Sequence, residues 1–284
     1  MPVDHYENFP VASLLCPVAL RPAVEAIYAF ARTADDIADE GDSPAAERIA
    51  DLADYRQDLA AVAAGTTPSA RWTRVFGPLA AVIERHRLPI GLLDDLLDAF
   101  TQDVTTQHYA DRATLLDYCR RSANPVGRLL LHLYGIADAD ALARSDAICS
   151  ALQLANFWQD LGRDVRHGRL YVPEADCRRH GVDPAALLAA QDSKAVHVLV
   201  LDLVAWARTL MRFGAPLVHA VPGRAGWELR LVVQGGLRVL ERIDRLHGAT
   251  LNERPNLGWA DAPAIAWRAL RMSSADTARA RRTA

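Results

Sequence analysis

Lysine is nearly missing from this 284-residue chain: of its 32 basic residues only Lys194 is one, and the rest are arginine. Against 35 acidic residues the net charge is −3, so no basic excess is available to neutralise phosphates, and no nucleic-acid partner is expected. The four cysteines (Cys16, Cys119, Cys149 and Cys177) are scattered and contain no C-x-x-C pair. That spacing suits neither a zinc site nor a disulfide framework and favours a reducing, cytoplasmic setting. No secretory leader is read at the start, because Asp4, His5, Glu7 and Asn8 interrupt the apolar stretch it would need. The most apolar long stretch, Ala195 to Val221, carries His197, Asp202, Arg208 and Arg212, which a membrane-spanning helix tolerates badly. Peripheral contact with a membrane stays open. No segment alternates as a strand, and no Gly-x-Gly-x-x-Gly follows one, so no dinucleotide site is readable.

What the chain does have is helical periodicity almost everywhere, which predicts an all-α protein. The first helix runs from about Arg21 to Glu40 and stops at Gly41-Asp42. Ser43 is expected to cap a second, from Pro44 through Ala64. Further helices are expected over Trp72–Arg87, Ile90–Val104, Thr114–Tyr134 (kinked at Pro125) and Ala141–Val165. Loop signals cluster at Gly168, Pro173, Gly181 and Pro184, before helices at Ser193–Val221, Ala225–Leu246 and Ala262–Met272. With no repeat and no long linker, residues 1–272 read as one domain and 273–284 as a frayed tail.

Chemistry is concentrated in two Asp-x-x-x-Asp pairs. Residues four apart share a helix face, so Asp35 and Asp39 form a vertical pair one turn beyond Arg32. They continue the apolar stripe of Val24, Tyr28 and Ala31 to within roughly 40°. A second face carries Cys149, Gln153, Asn156, Asp160 and Asp164. Buried carboxylates need partners. Mg²⁺ takes hard oxygen ligands and joins one or two carboxylates to substrate phosphates. Two facing pairs with metal between them would clamp a diphosphate and draw off its charge as it leaves. Asp94 and Asp98 have the same spacing on a third helix, a reminder that spacing alone also describes a solvated face. Arg32 is read both as a partner of Asp35 or Asp36 and as a ligand of the leaving diphosphate. Arg121 is read equally as a structural ion pair or a substrate contact. Phe157 and Trp158 are core aromatics by default, although an aromatic face could also steady a carbocation. Gly235-Gly236, inside a helical pattern, signals close packing or room for substrate.

These motifs resemble the squalene/phytoene synthase family. The resemblance is carried by Tyr28 to Glu40, with Arg32 before Asp35-Asp36-x-x-Asp39, and by Gln153 to Asp164 followed by Gly168-Arg169-Leu170-Tyr171-Val172-Pro173. Asp98 to Asp103, Tyr118-Cys119 and the opening His5-x-x-x-Phe9 fit the same order. It implies an all-α, single-domain isoprenoid-synthase bundle around a central cavity, with Mg²⁺ held by Asp35, Asp36, Asp39, Asn156, Asp160 and Asp164. It further implies that Asp35, Asp39, Asp160 and Asp164 act in catalysis, and that His5, Asn8, Tyr28, Arg32, Arg121, Gln153, Asn156 and Tyr171 contact substrate. Three departures, Glu7-Asn8, Arg120 to Pro125 with Arg121 in place of a tyrosine, and Phe157-Trp158-Gln159 before Asp160, resemble the hydroxysqualene-forming branch of hopanoid biosynthesis. That branch ionises presqualene diphosphate and quenches the rearranged cation with water, and it works beside a presqualene diphosphate synthase. A head-to-head coupling synthase and a non-catalytic scaffold are the competing expectations.

Overall fold

The computed structural model describes residues 16–106 and 108–272. Expectations that fall on His5, Asn8 and the tail from 273 lie outside the described residues. The chain folds into helices α1 (Arg21–Asp39), α2 (Ala45–Ala63), α3 (Thr73–His86), α4 (Ile90–Thr105), α5 (Arg112–Ser122), α6 (Asn124–Leu133), α7 (Ala139–Asp164), α8 (Glu174–Arg179), α9 (Pro184–Leu188), α10 (Lys194–Gly214), α11 (Gly223–Arg245) and α12 (Ala262–Arg271). Among the described residues the sole β pairing is one bridge, His108 to Leu170. The all-α expectation holds for the described residues.

Local chemistry explains most boundaries. Asp111 caps α5 through a reciprocal box with Thr114, and Asp138 and Ser193 accept the Ala141 and Val196 amides at the starts of α7 and α10. Three local expectations need correction. Ser43 does not cap α2: the capping position falls to Pro44, with no side-chain bond, and the Ser43 carbonyl accepts from Arg48 Nε at 2.9 Å. The helix expected over Thr114–Tyr134 is two helices, broken at Ala123. Pro125 has no amide to donate and its ring crowds the preceding turn, so it starts α6 rather than kinking a continuous helix. The expected loop after Gly168 contains α8 and α9, of six and five residues, too short for periodicity to register.

Two packed regions frame the interior. Phe30, Tyr55, Phe76 and Leu79 knit α1, α2 and α3 together beside Leu93 and Leu97 of α4. Trp158 and Leu154 of α7 pack with Leu199, Leu203 and Ala207 of α10 and Leu240 of α11. Burying each such side chain contributes about 1.5–3 kcal/mol relative to leaving it in water. Gly236 answers the question its sequence left open: a Cβ there would sit 2.7 Å from Met211 and 2.8 Å from Leu152, so it is a close-packing glycine. No described helix is long and apolar enough to cross a membrane.

Candidate active site

A cavity of about 590 Å³ runs between α1, α4, α5, α6, α7 and α11, within the ~300–1,000 Å³ typical of ligand pockets. α1 lends it one wall. Its buried stripe (Ala23, Ala26, Phe30, Ala34 and Ala38) packs into the protein, while the neighbouring stripe of Val24, Tyr28, Ala31, Arg32 and Asp35 lines the cavity. Val24 and Asp35 are eleven residues apart, which at 1.5 Å per residue spans about 16 Å of wall. α7 supplies a parallel series from Ile148 and Cys149 through Leu152 to Gln153. Leu217, Val221, Ala225, Glu228, Leu229 and Val232 line the other end. The wall is therefore mostly apolar, with Glu228 among the apolar side chains of that end and Asp35 and Asp103 brought together by α1 and α4 at the opposite one.

At that acidic end the carboxylates feel one another. Burial, then the neighbouring charge of Asp39, raises Asp35 to about 6 against the pull of Arg32. Burial raises Asp103 to about 7, opposed by the 2.9 Å hydrogen bond it accepts from Tyr118 Oη and reinforced by Asp39. Burial and Asp160 raise Asp164 to about 7, with Arg169 opposing. Asp39 also acts on Asp164, so these two carboxylates of α1 and α7 lie near each other, with Arg169 between their charges. Three raised carboxylates in one place mean negative charge held without enough positive charge to match it.

Arginines supply what compensation there is. Arg32 Nη1 donates to Asp35 at 3.0 Å, and its Nη2 lies 2.7 Å from Asp36 and 2.8 Å from Glu40. Arg169, just beyond α7, forks onto Asp39, one arm at 2.8 Å. Arg254 reaches Asp160 from the loop after α11. That loop is pinned by Gln159, whose Nε2 donates to the Pro255 carbonyl at 2.5 Å. It also presses on Gly162, where a Cβ would meet the Leu251 carbonyl oxygen at 2.1 Å. Among the described residues no three His, Cys, Asp or Glu side chains form a ready-made metal cage. The donors nonetheless suit a divalent cation. They are hard oxygens in two pairs, in each of which burial and then the neighbouring carboxylate raise one member, Asp35 and Asp164, and Mg²⁺ needs few protein ligands when substrate phosphates and water complete its shell.

The other expected site residues divide clearly. Tyr28, Arg32, Asp35 and Gln153 line the cavity. Asp36 sits beside them on Arg32, and Asn156 is solvent-exposed on the same α7 face as Gln153 and Asp160. Arg121 does not line the cavity; it donates to Gln102 at 2.6 Å and Asp117 at 3.0 Å, which favours its structural reading. Tyr171 stacks on Phe157 with ring centres 3.8 Å apart, behind Tyr118. Trp158 is fully buried in the core beside Trp206. Asp94 and Asp98 both pair with Arg56, at 3.2 and 2.5 Å, on a largely exposed face. Sequence reasoning missed Asp103, Arg169 and Arg254 as site residues. Asp103 had a signal, since it continues the buried stripe of Leu96 and Ala99 at helical spacing. Arg254 had none.

This is the architecture of an all-helical protein built to hold a long apolar molecule by a charged head. A structure of squalene synthase HpnC from Alicyclobacillus acidocaldarius superposes with a TM-score of 0.77 at 38% identity, covering 86% of this chain and 90% of that one. The squalene/phytoene synthase family pattern matches residues 3–261, and the chain belongs to that family. A hydroxysqualene synthase from Zymomonas mobilis is 40% identical over 59% of this chain, so the match spans about half, 54%, of that relative's length. A phytoene synthase from Rhodobacter capsulatus is 33% identical over 76% of this chain and 62% of its own length.

Proposed function

We propose that the protein is an enzyme that ionises presqualene diphosphate and quenches the rearranged cation with water, releasing hydroxysqualene and diphosphate. The observation that carries this reading is a mostly apolar cavity with Asp35 of α1 and Asp103 of α4 on its wall and Asp39 and Asp164 close enough to act on these carboxylates and on one another. Asp35 and Asp39 on one side and Asp160 and Asp164 on the other, with Asp36 and Asn156 alongside, are the residues we assign to Mg²⁺. Bound there, the metal supplies charge neutralisation for the diphosphate as the carbon–oxygen bond breaks and the leaving group takes the electron pair.

The chain's own residues do the rest. Arg32 and Arg169 hold carboxylates of this end and are the cationic side chains we assign to the phosphate oxygens of the substrate. Tyr28, with the apolar walls of α1, α7 and α11, keeps bulk water away while the cyclopropyl cation rearranges. The quench needs one held water. It bonds to the cation through oxygen and passes its proton to the released diphosphate, and Gln153 on the cavity wall is the group we assign to hold it. The likeness to a hydroxysqualene synthase and the Arg121 and Phe157-Trp158-Gln159 departures support water over hydride as the terminating step. His5, Asn8 and Tyr171 remain assigned to substrate contact on the family resemblance, and we place the enzyme in the cytoplasm working beside a presqualene diphosphate synthase.

The test is incubation of the pure protein with Mg²⁺ and either presqualene diphosphate or farnesyl diphosphate, followed by mass spectrometry of the hexane extract. Hydroxysqualene formed without reductant, its oxygen labelled in ¹⁸O-water, is the expected result. Accumulation of presqualene diphosphate from farnesyl diphosphate, or squalene formed only with NADPH, would assign the chain to the coupling synthases.

A further inference from the structure

The face of the protein behind the apolar end of the cavity is itself apolar, and the described chain does not cover it. On α12 the inward side carries Ala269 and the partly buried Ile265 and Arg268, while Pro263, Ala266, Trp267 and Leu270 share the outward side. Trp267 is 59% and Leu270 61% exposed, and Trp259, just before the helix, is 95% exposed. α11 repeats the pattern. Ala225, Glu228, Leu229 and Val232 face the cavity, and Trp227, on the opposite side of the helix, is 43% exposed. The guanidinium of Arg230 joins the two helices: it lies 4.7 Å over the Trp227 ring and donates to the Met272 carbonyl at 2.6 Å. Large apolar side chains exposed together, not singly, mark an interaction surface.

The charge around this patch is of one sign. Arg271 lies 5.1 Å over Trp267, and Arg224 is exposed at the start of α11. No acidic residue occurs from Ala262 to Met272, and Glu228, the acidic residue in the first half of α11, turns to the cavity. Tryptophan rings at the level of a bilayer's headgroups, with arginines reaching the phosphates beside them, are the chemistry of an interfacial helix. Tryptophan and arginine also serve protein interfaces, and it is the charge of one sign around the rings that favours an anionic bilayer. Residues 273–284 contain no aromatic or large aliphatic side chain, so that part of the chain offers nothing apolar to cover the stripe.

We propose that Trp227, Trp259, Trp267 and Leu270, ringed by Arg224, Arg230 and Arg271, form a docking surface for an anionic lipid bilayer. Docked this way, the apolar end of the cavity is turned toward the membrane and the acidic end away from it. The inference does not depend on which prenyl diphosphate the site accepts.

Sedimentation with vesicles tests it directly. The full-length protein is mixed with phosphatidylcholine vesicles with and without an equal part of phosphatidylglycerol. Binding to the anionic vesicles, weakened by salt, is expected, and brominated acyl chains should quench tryptophan fluorescence. Trp267→Glu with Leu270→Glu should weaken binding about tenfold or more. Arg271→Gln should weaken it roughly fivefold, the size of one interfacial charge. Thermal stability and turnover of detergent-dispersed substrate should not change in either variant. No binding to either vesicle, or binding unaffected by the substitutions, overturns the proposal. So does a dimer in sedimentation equilibrium that the same substitutions dissolve, which would make a second copy the occupant.

Discussion

Replacing Asp164 with asparagine should stabilise the metal-free protein, and that expectation is specific to a site built to hold charge. Among the described residues Asp164 has no side-chain hydrogen-bond partner that an amide would lose, and burial with the charge of Asp160 raises it to about 7. A carboxyl whose folded pKa lies above its unfolded value near 3.8 binds more protons folded than unfolded across the interval. Stability therefore falls as pH rises from about 4 to about 7 and is flat above. At 1.36 kcal/mol per unit the shift would correspond to about 4 kcal/mol, and solvent screening at this half-buried site reduces it to about 1–2 kcal/mol. For a chain of this size that amounts to roughly 2–3 °C in Tm. Differential scanning calorimetry in chelator should give wild type a higher Tm at pH 5.5 than at pH 8, and Asp164→Asn should gain those degrees at pH 8 alone. Adding Mg²⁺ and inorganic diphosphate should reverse the order, because ligand binding stabilises only the wild type strongly. A variant that melts lower than wild type at pH 8 in chelator, or a wild-type Tm indifferent to pH over this range, would refute the argument that these carboxylates repel one another.

Further measurements probe the remaining parts. Asp35→Asn and Asp160→Asn should each lower kcat by orders of magnitude with circular dichroism unchanged, while Asp94→Asn, paired with Arg56 on the surface, should stay near wild type. Tyr118→Phe should cost about 1–3 kcal/mol by urea denaturation, since it leaves the Asp103 carboxyl buried without its 2.9 Å donor. Asp261→Ala should cost about 3–5 kcal/mol, because it strands Arg238 and Arg242 where α12 meets α11. The Gly258 amide and then the same arginines, acting against burial, hold Asp261 well below the ordinary carboxylate range, so its contribution is present above about pH 4 and is lost as pH falls through its folded pKa. A urea midpoint for Asp261→Ala equal to wild type at pH 7 would count against that ion pair.

Much of this protein could be read locally. A 3.6-residue rhythm and a few capping and breaking residues determined the long helices, because those preferences act within a turn or two of the chain. Asp35 and Asp39, four apart on α1, and Gln153, Asn156, Asp160 and Asp164 on α7 had to share faces for the same reason. What sequence could not say is which of two adjacent stripes on α1 is packed and which borders a cavity. Phe30 and Ala34 took the packed side and Tyr28 and Asp35 the open one, a choice made by the helices that came to lie against them. Nor could it tell that Asp103 would join the acidic end, or that Arg254, 94 residues after Asp160, would be carried onto it by a loop that Gln159 holds in place. Spacing along a helix sets what one side chain can share with its neighbours. Only the packing of helices far apart in the chain decides which charges meet, and it is those meetings, through burial and repulsion, that raise the carboxylates of this site.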